Sequence, residues 1–104
     1  MRRLPQVLEA LPAQAAAAER GPLVAAHRGG AALWPENSLR AFRGALVLGV
    51  DFLETDLHLT ADGEVVVVHD PTLERTTTGA GPVRDRTLAD LGRVRLRACR
   101  AGAP

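Results

Sequence analysis

Asp51-Phe52-Leu53-Glu54-Thr55-Asp56-Leu57-His58-Leu59, then Thr60-Ala61-Asp62-Gly63, then Glu64-Val65-Val66-Val67-Val68-His69-Asp70-Pro71, is the stretch whose reading decides the fold. Residues 51–59 alternate strictly, with Leu53, Thr55, Leu57 and Leu59 on one side and Phe52, Glu54, Asp56 and His58 on the other. That is the period of a strand with one apolar and one acidic face. Residues 60–63 are turn sequence, and the β-branched run 64–68 predicts a second strand. Two geometries stay open. A hairpin with a two-residue turn sets Thr60 against Gly63, Leu57 against Val66 and Glu54 against His69, so that Glu54, Asp56 and His69 project together. Parallel neighbours joined by a compressed crossover bring the same acidic pair towards His69 at the strand ends.

Upstream, Leu23-Val24-Ala25-Ala26 is a short apolar run between Gly21-Pro22 and Gly29-Gly30, the pattern of a strand buried on both faces. After Pro35-Glu36-Asn37-Ser38, the residues Leu39, Phe42, Ala45, Leu46 and Leu48 recur at helical spacing, with Asn37 or Ser38 as N-cap and Gly49 as C-cap. Residues 5–19 predict a short helix opened by Pro5, which makes residues 1–20 a helical leader. Downstream, residues 76–82 are a loop and Thr87 is placed to cap a helix from Leu88. The tail 92–104 shows no periodic pattern.

With 104 residues, 46% of them hydrophobic, the chain has the composition of a single globular domain. A net charge of +1 gives no reason to expect a nucleic acid or an anionic membrane as partner. All 13 basic residues are arginine. The lone Cys99 forms no internal disulfide and no zinc cluster. The N-terminus fails as a signal peptide, and no apolar run approaches the ~20 residues of a membrane span. A cytoplasmic location is expected.

Carboxylates at Glu54 and Asp56, on one face of one strand, repel each other unless something cationic lies between them. Hard oxygen donors with no cysteine nearby suit Mg2+ or Ca2+ and not zinc. His27 closes the first strand and is followed by Arg28-Gly29-Gly30, where the guanidinium fork fits a phosphate and the glycines allow backbone amides to approach an anion.

Together these segments resemble the glycerophosphodiester phosphodiesterase family, and the resemblance covers about residues 23 to 91. It is carried by His27-Arg28-Gly29, Pro35-Glu36-Asn37-Ser38, Glu54-Thr55-Asp56, Leu59-Thr60-Ala61-Asp62-Gly63 and the segment from His69-Asp70-Pro71 to Arg75-Thr76-Thr77. It implies an α/β fold, the N-terminal portion of a (β/α)8 TIM-type barrel, which takes ~250 residues when complete. The resemblance further implies that His27 and His69 are general acid and base, that Glu54 and Asp56 ligate a divalent metal (Mg2+ or Ca2+), and that Arg28 holds the phosphate with Glu36 also in the site. The implied reaction is metal-dependent hydrolysis of a small-molecule glycerophosphodiester to glycerol 3-phosphate and an alcohol. His58 is expected at the surface or rim, and Asp70 is expected to orient His69 or cap the following turn.

On this reading, residues 21–104 are a partial domain of the family with an atypical tail, lacking the third acidic ligand that later strands supply. The expectation for 104 residues alone is a marginally folded or associated chain without robust hydrolysis, since exposed strand edges invite pairing. The rival readings are an inactive remnant or interaction module, and a phospholipase-like phosphodiesterase on a similar barrel.

Overall fold

The computed structural model describes residues 21–98. The leader helix and Cys99 therefore lie outside the described residues, as does the end of the tail. Strand β1 (Ala25–Ala26) pairs in parallel with β2 (Phe52–Leu53), Ala25 opposite Phe52 and Ala26 opposite Leu53, and helix α1 (Leu39–Leu48) makes the crossover. This is one β/α/β unit. Leu23, Val24 and Ala25 stay exposed, against the expectation of a strand buried on both faces. Only Ala26 is buried, because the sheet formed by these two strands covers little of either face.

Ser38 is the N-cap of α1: its Oγ accepts the Ala41 N–H at 3.1 Å and donates to the Pro35 carbonyl at 2.6 Å. Gly49 closes the helix at φ 78°, a left-handed conformation open to glycine without strain. The buried stripe differs from the expected one. Ala41 and Ala45 are fully buried and Phe42 is half-buried, whereas Leu39, Leu46, Val47 and Leu48 face outward. Small residues on the inner face let α1 come close to the turn after β1: a Cβ on Gly29 would lie 2.6 Å from the Phe42 ring and 3.1 Å from the Ala41 methyl. The same closeness recurs at Trp34, whose indole leaves no room for a side chain on Gly44.

The alternating stretch 51–59 is not one strand. After β2 the chain leaves the parallel ladder and re-enters a different sheet as β3 (Leu57–Leu59), which pairs antiparallel with β4 (Val65–Val67). Of the two geometries left open, the hairpin is the one formed, but in another register. The Thr60 N–H donates to the Glu64 carbonyl at 2.9 Å and the Gly63 N–H to the Thr60 carbonyl at 3.0 Å, with Gly63 at φ 77°. That is a three-residue loop ending in a left-handed glycine, and its extra residue moves the pairing by one. Leu57 therefore faces Val67 and not Val66, and Glu54 does not face His69.

Beyond β4, a 3-10 turn (Val83–Asp85) buries Val83, and helix α2 (Leu88–Leu91) is opened by Thr87, the cap the sequence predicts, with Asp90 adding a reciprocal bond that was not predicted. The segment around Leu96, which has no period in sequence, lies along 76–78: the Thr78 N–H donates to the Arg95 carbonyl and the Arg97 N–H to the Thr76 carbonyl, both at 2.8 Å.

The packing of α1 yields a stability test. Helix propensity alone says that Gly44→Ala stabilises by about 1 kcal/mol. Its Cβ, however, would meet the Trp34 ring at less than van der Waals distance. Overpacking of this kind costs about 1–3 kcal/mol, so a net loss on the order of 1 kcal/mol is expected in urea denaturation. In a Trp34→Ala background the same change should stabilise; a stabilising effect in both backgrounds would remove Trp34 as the cause.

Candidate active site

At the end of β1 the chain turns sharply. Arg28 adopts φ 52° and ψ 33°, and Gly29 and Gly30 follow with positive φ. A left-handed arginine is strained, and here the strain is held by hydrogen bonds on both sides: its N–H donates to Glu54 Oε2 at 2.9 Å, and its carbonyl accepts the Asn37 N–H at 2.8 Å. Asn37 is itself left-handed at φ 54°. Its side chain locks the stretch between β2 and β3, with Nδ2 donating to Asp56 Oδ2 at 3.1 Å and Oδ1 accepting from the Thr55 hydroxyl at 2.8 Å. Glu54 and Asp56 thus lie in the joint where the chain has left one ladder and not yet entered the other. Their side chains are positioned by donors from the two loops above them.

The Arg28 guanidinium reaches across this joint. Nη1 donates to Glu36 Oε2 at 3.2 Å and lies 3.4 Å from Oε1, while Nε stands 3.8 Å from Asp56 Oδ2. That last distance is too long for a hydrogen bond, so the buried Nε–H has no acceptor among the described residues. His27 is largely exposed, with Nε2 3.9 Å from Glu54 Oε2. His69 lies just beyond β4 and is placed by Asp70, whose Oδ1 is 2.8 Å from His69 Nδ1.

Arg75 joins the two halves. It donates from Nε to Asp70 Oδ2 at 2.8 Å and from Nη2 to Asp70 Oδ1 at 3.0 Å, and also from Nη1 and Nη2 to the two oxygens of Glu36 at 3.1 and 2.5 Å. The Arg75 hydrogen bonds hold both carboxyls below their usual range. In Glu36 they outweigh partial burial and are joined by Arg28; in Asp70 His69 adds to them. The Arg75 guanidinium is correspondingly raised, by Asp70 first and Glu36 second.

Of the residues singled out from sequence, His27, Arg28, Glu36, Glu54 and Asp56 form one contact network, and His69 enters it through Asp70, Arg75 and Glu36. The projection of Glu54, Asp56 and His69 from one hairpin face is not what forms, because of the shifted register. Among the described residues, no three carboxylate, imidazole or thiol side chains group closely enough to hold a metal ion. Glu54 and Asp56 still have the chemistry for a hard divalent cation. In each, one oxygen accepts an N–H, which fixes the carboxylate's direction. Sequence reasoning assigned no role to Arg75 or to the amide of Asn37, although Arg75 stands in the segment from His69 to Thr77 that carries the family resemblance. His58 is half-exposed, its Nε2 2.9 Å from the His69 carbonyl.

Residues 27–103 match the profile described as the Glycerophosphoryl diester phosphodiesterase family. The chain belongs to that family. A glycerophosphodiester phosphodiesterase from Caldanaerobacter subterraneus subsp. tengcongensis is 49% identical over 72 residues, which is 69% of this chain and 30% of that protein. One from Bacillus subtilis is 43% identical over 72 residues, covering 25% of its length. Among solved structures, a glycerophosphodiester phosphodiesterase from Agrobacterium tumefaciens superposes with a TM-score of 0.69 at 38% identity, covering 71% of this chain and 32% of that one. A phosphodiesterase from Oleispira antarctica, in complex with the product sn-glycerol-3-phosphate, also gives 0.69 at 38% identity, covering 75% and 32%. The chain therefore spans a quarter to a third of the length of these relatives, and its fold is part of the family's (β/α)8 barrel. The glycerophosphodiester phosphodiesterases are in general dependent on a divalent cation.

The depressed carboxyls give this family member a pH signature. Glu36 and Asp70 have folded values below their ordinary 4.5 and 3.8, so their contribution to stability is present above those ordinary values and is lost as pH falls through the folded ones. Thermal melts should show Tm falling as pH drops below about 4.5, and Glu36→Gln should flatten the upper part of that fall. A wild-type Tm that is constant across this window would show that the ion pairs do not form in solution.

Proposed function

We propose that this chain carries the catalytic face for metal-dependent hydrolysis of glycerophosphodiesters to glycerol 3-phosphate and an alcohol, in the cytoplasm. The observation that supports it most directly is the continuous network from His27 to His69, with a phosphate-type arginine and two oriented carboxylates between them, in a chain of this family. The product complex of the Oleispira antarctica relative points to the same substrate class.

Glu54 and Asp56 would hold Mg2+ or Ca2+, which when bound neutralises charge on the phosphoryl oxygens. Arg28, kept in place by Glu36, is the guanidinium that would hold a phosphoryl oxygen. One histidine takes the proton of the attacking water as its oxygen bonds to phosphorus, and the other gives a proton to the alcohol oxygen as the P–O bond breaks. With Nδ1 engaged by Asp70, His69 works through Nε2. Glu36 has both oxygens occupied by arginines, so its part in substrate binding is to orient Arg28.

Steady-state assays on a glycerophosphodiester, in a version of the enzyme completed to the length of the family barrel, test these roles. With saturating divalent metal, Glu54→Ala or Asp56→Ala should abolish turnover, and undiminished rates in either variant would exclude the ligand assignment. His27→Ala and His69→Ala should each lower kcat by about 10²–10⁴-fold with a smaller change in KM. An effect confined to KM would make them binding residues instead.

A further inference from the structure

Arg75 has no part in the hydrolysis just described, yet its guanidinium is where two loops of the site meet. It forks onto both oxygens of Asp70 and onto both oxygens of Glu36, the latter 39 positions away in sequence. Each of those carboxylates has one further basic partner, His69 for Asp70 and Arg28 for Glu36. We propose that Arg75 is a positioning residue, fixing the His69 ring through Asp70 and the Arg28 guanidinium through Glu36 from a single point. The proposal rests on the hydrolytic reading above for its kinetic consequence, though not for its structural one.

The physical case lies in the fork. An aspartate side chain has several rotamers, and the one Asp70 adopts sets Oδ1 2.8 Å from His69 Nδ1. Two N–H bonds from Arg75 pin both Asp70 oxygens and select that rotamer. An acceptor fixed at Nδ1 keeps the proton there and leaves Nε2 with a free lone pair, the state needed to accept a proton. The same guanidinium bonds both oxygens of Glu36, which restricts rotation of the carboxylate away from Arg28. A lysine keeps the charge but loses the planar double fork.

The test reads the His69 tautomer directly, in the full 15N-labelled chain, from imidazole 15N–1H correlations at pH about 9, where ordinary imidazoles are neutral. His69→Gln and His58→Gln assign the signals. Wild-type His69 should carry its proton on Nδ1. Arg75→Met and Asp70→Asn should both shift the population towards Nε2–H, and Arg75→Lys should recover it only in part. In the glycerophosphodiester assay, Arg75→Met should lower kcat about 10–100-fold, the usual effect of losing a residue that orients a catalytic group, with a smaller change in KM. If Arg75→Met does not fold, Arg75→Gln carries the same readout. The proposal is overturned by a folded Arg75 variant whose His69 tautomer matches wild type, whether or not kcat falls, and equally by a shifted tautomer with unchanged kcat. If the enzyme completed to the length of the family barrel hydrolyses no glycerophosphodiester, the functional reading fails, while a variant tautomer that still matches wild type overturns the positioning role independently.

Discussion

Glu36 is held between two guanidinium groups, Arg28 on one side and Arg75 on the other, and the placement of every polar group in the site leads back to it. Basic and acidic side chains alternate along the path from His27 and Glu54 through Arg28, Glu36 and Arg75 to Asp70 and His69. Such a chain is stable only as a whole. Each partly buried charge has been moved out of water, and its compensation is a neighbour of opposite sign with directed hydrogen bonds, so deleting one member strands two others. Single ion pairs at an exposed surface contribute little; a connected series that shares its members constrains geometry more than any pair can.

That network also explains why two residues with side chains tolerate left-handed backbone. Arg28 and Asn37 each have positive φ, a conformation that costs a residue with a Cβ roughly 1–2 kcal/mol. They are hydrogen-bonded to one another through the Arg28 carbonyl, and each also donates to a carboxylate of the joint between β2 and β3. The backbone strain is therefore placed where it aims N–H donors at Glu54 and Asp56. A relaxed extended Arg28 would turn its N–H away from Glu54, and the carboxylate would lose the contact that sets its direction.

Much of this was legible in the sequence, and what was not has identifiable causes. Ser38, Gly49 and Thr87 were readable as caps because capping depends on local chemistry alone. The acidic pair and both histidines stood out because charged groups at strand ends and on strand faces are poor choices for a core. The hairpin register was missed through a single residue: Asp62-Gly63 reads equally as a two-residue turn or as the end of a three-residue loop, and the difference moves every cross-strand pair. The buried face of α1 was read only in part: Phe42 and Ala45 stand in the expected stripe, but the leucines beside them outweighed Ala41, whose small side chain lets the helix approach Gly29. Arg75 stood in a family motif, but its contacts were unreadable for another reason. Its partners Glu36 and Asp70 come from both ends of a long sequence interval, and no local pattern announces a contact of that kind.

The burial of the stretch 51–59 runs opposite to what a strand in water prefers. Phe52, Glu54, Asp56 and His58 are half-buried, whereas Leu53, Leu57 and Leu59 are exposed, along with Val65 and Val67 of the hairpin and the leucines of α1. In a (β/α)8 barrel the outward side of a strand is covered by helices, and the functional groups collect at the C-terminal ends of the strands. The alternation therefore obeys the geometry of the whole family barrel, of which this chain spans about a third, and not the exposure found in the chain by itself. The polar network needs no such cover. Each of its contacts lies between residues 27 and 75, so the arrangement of the site is written in this segment even where the apolar side of the same strands is left to water.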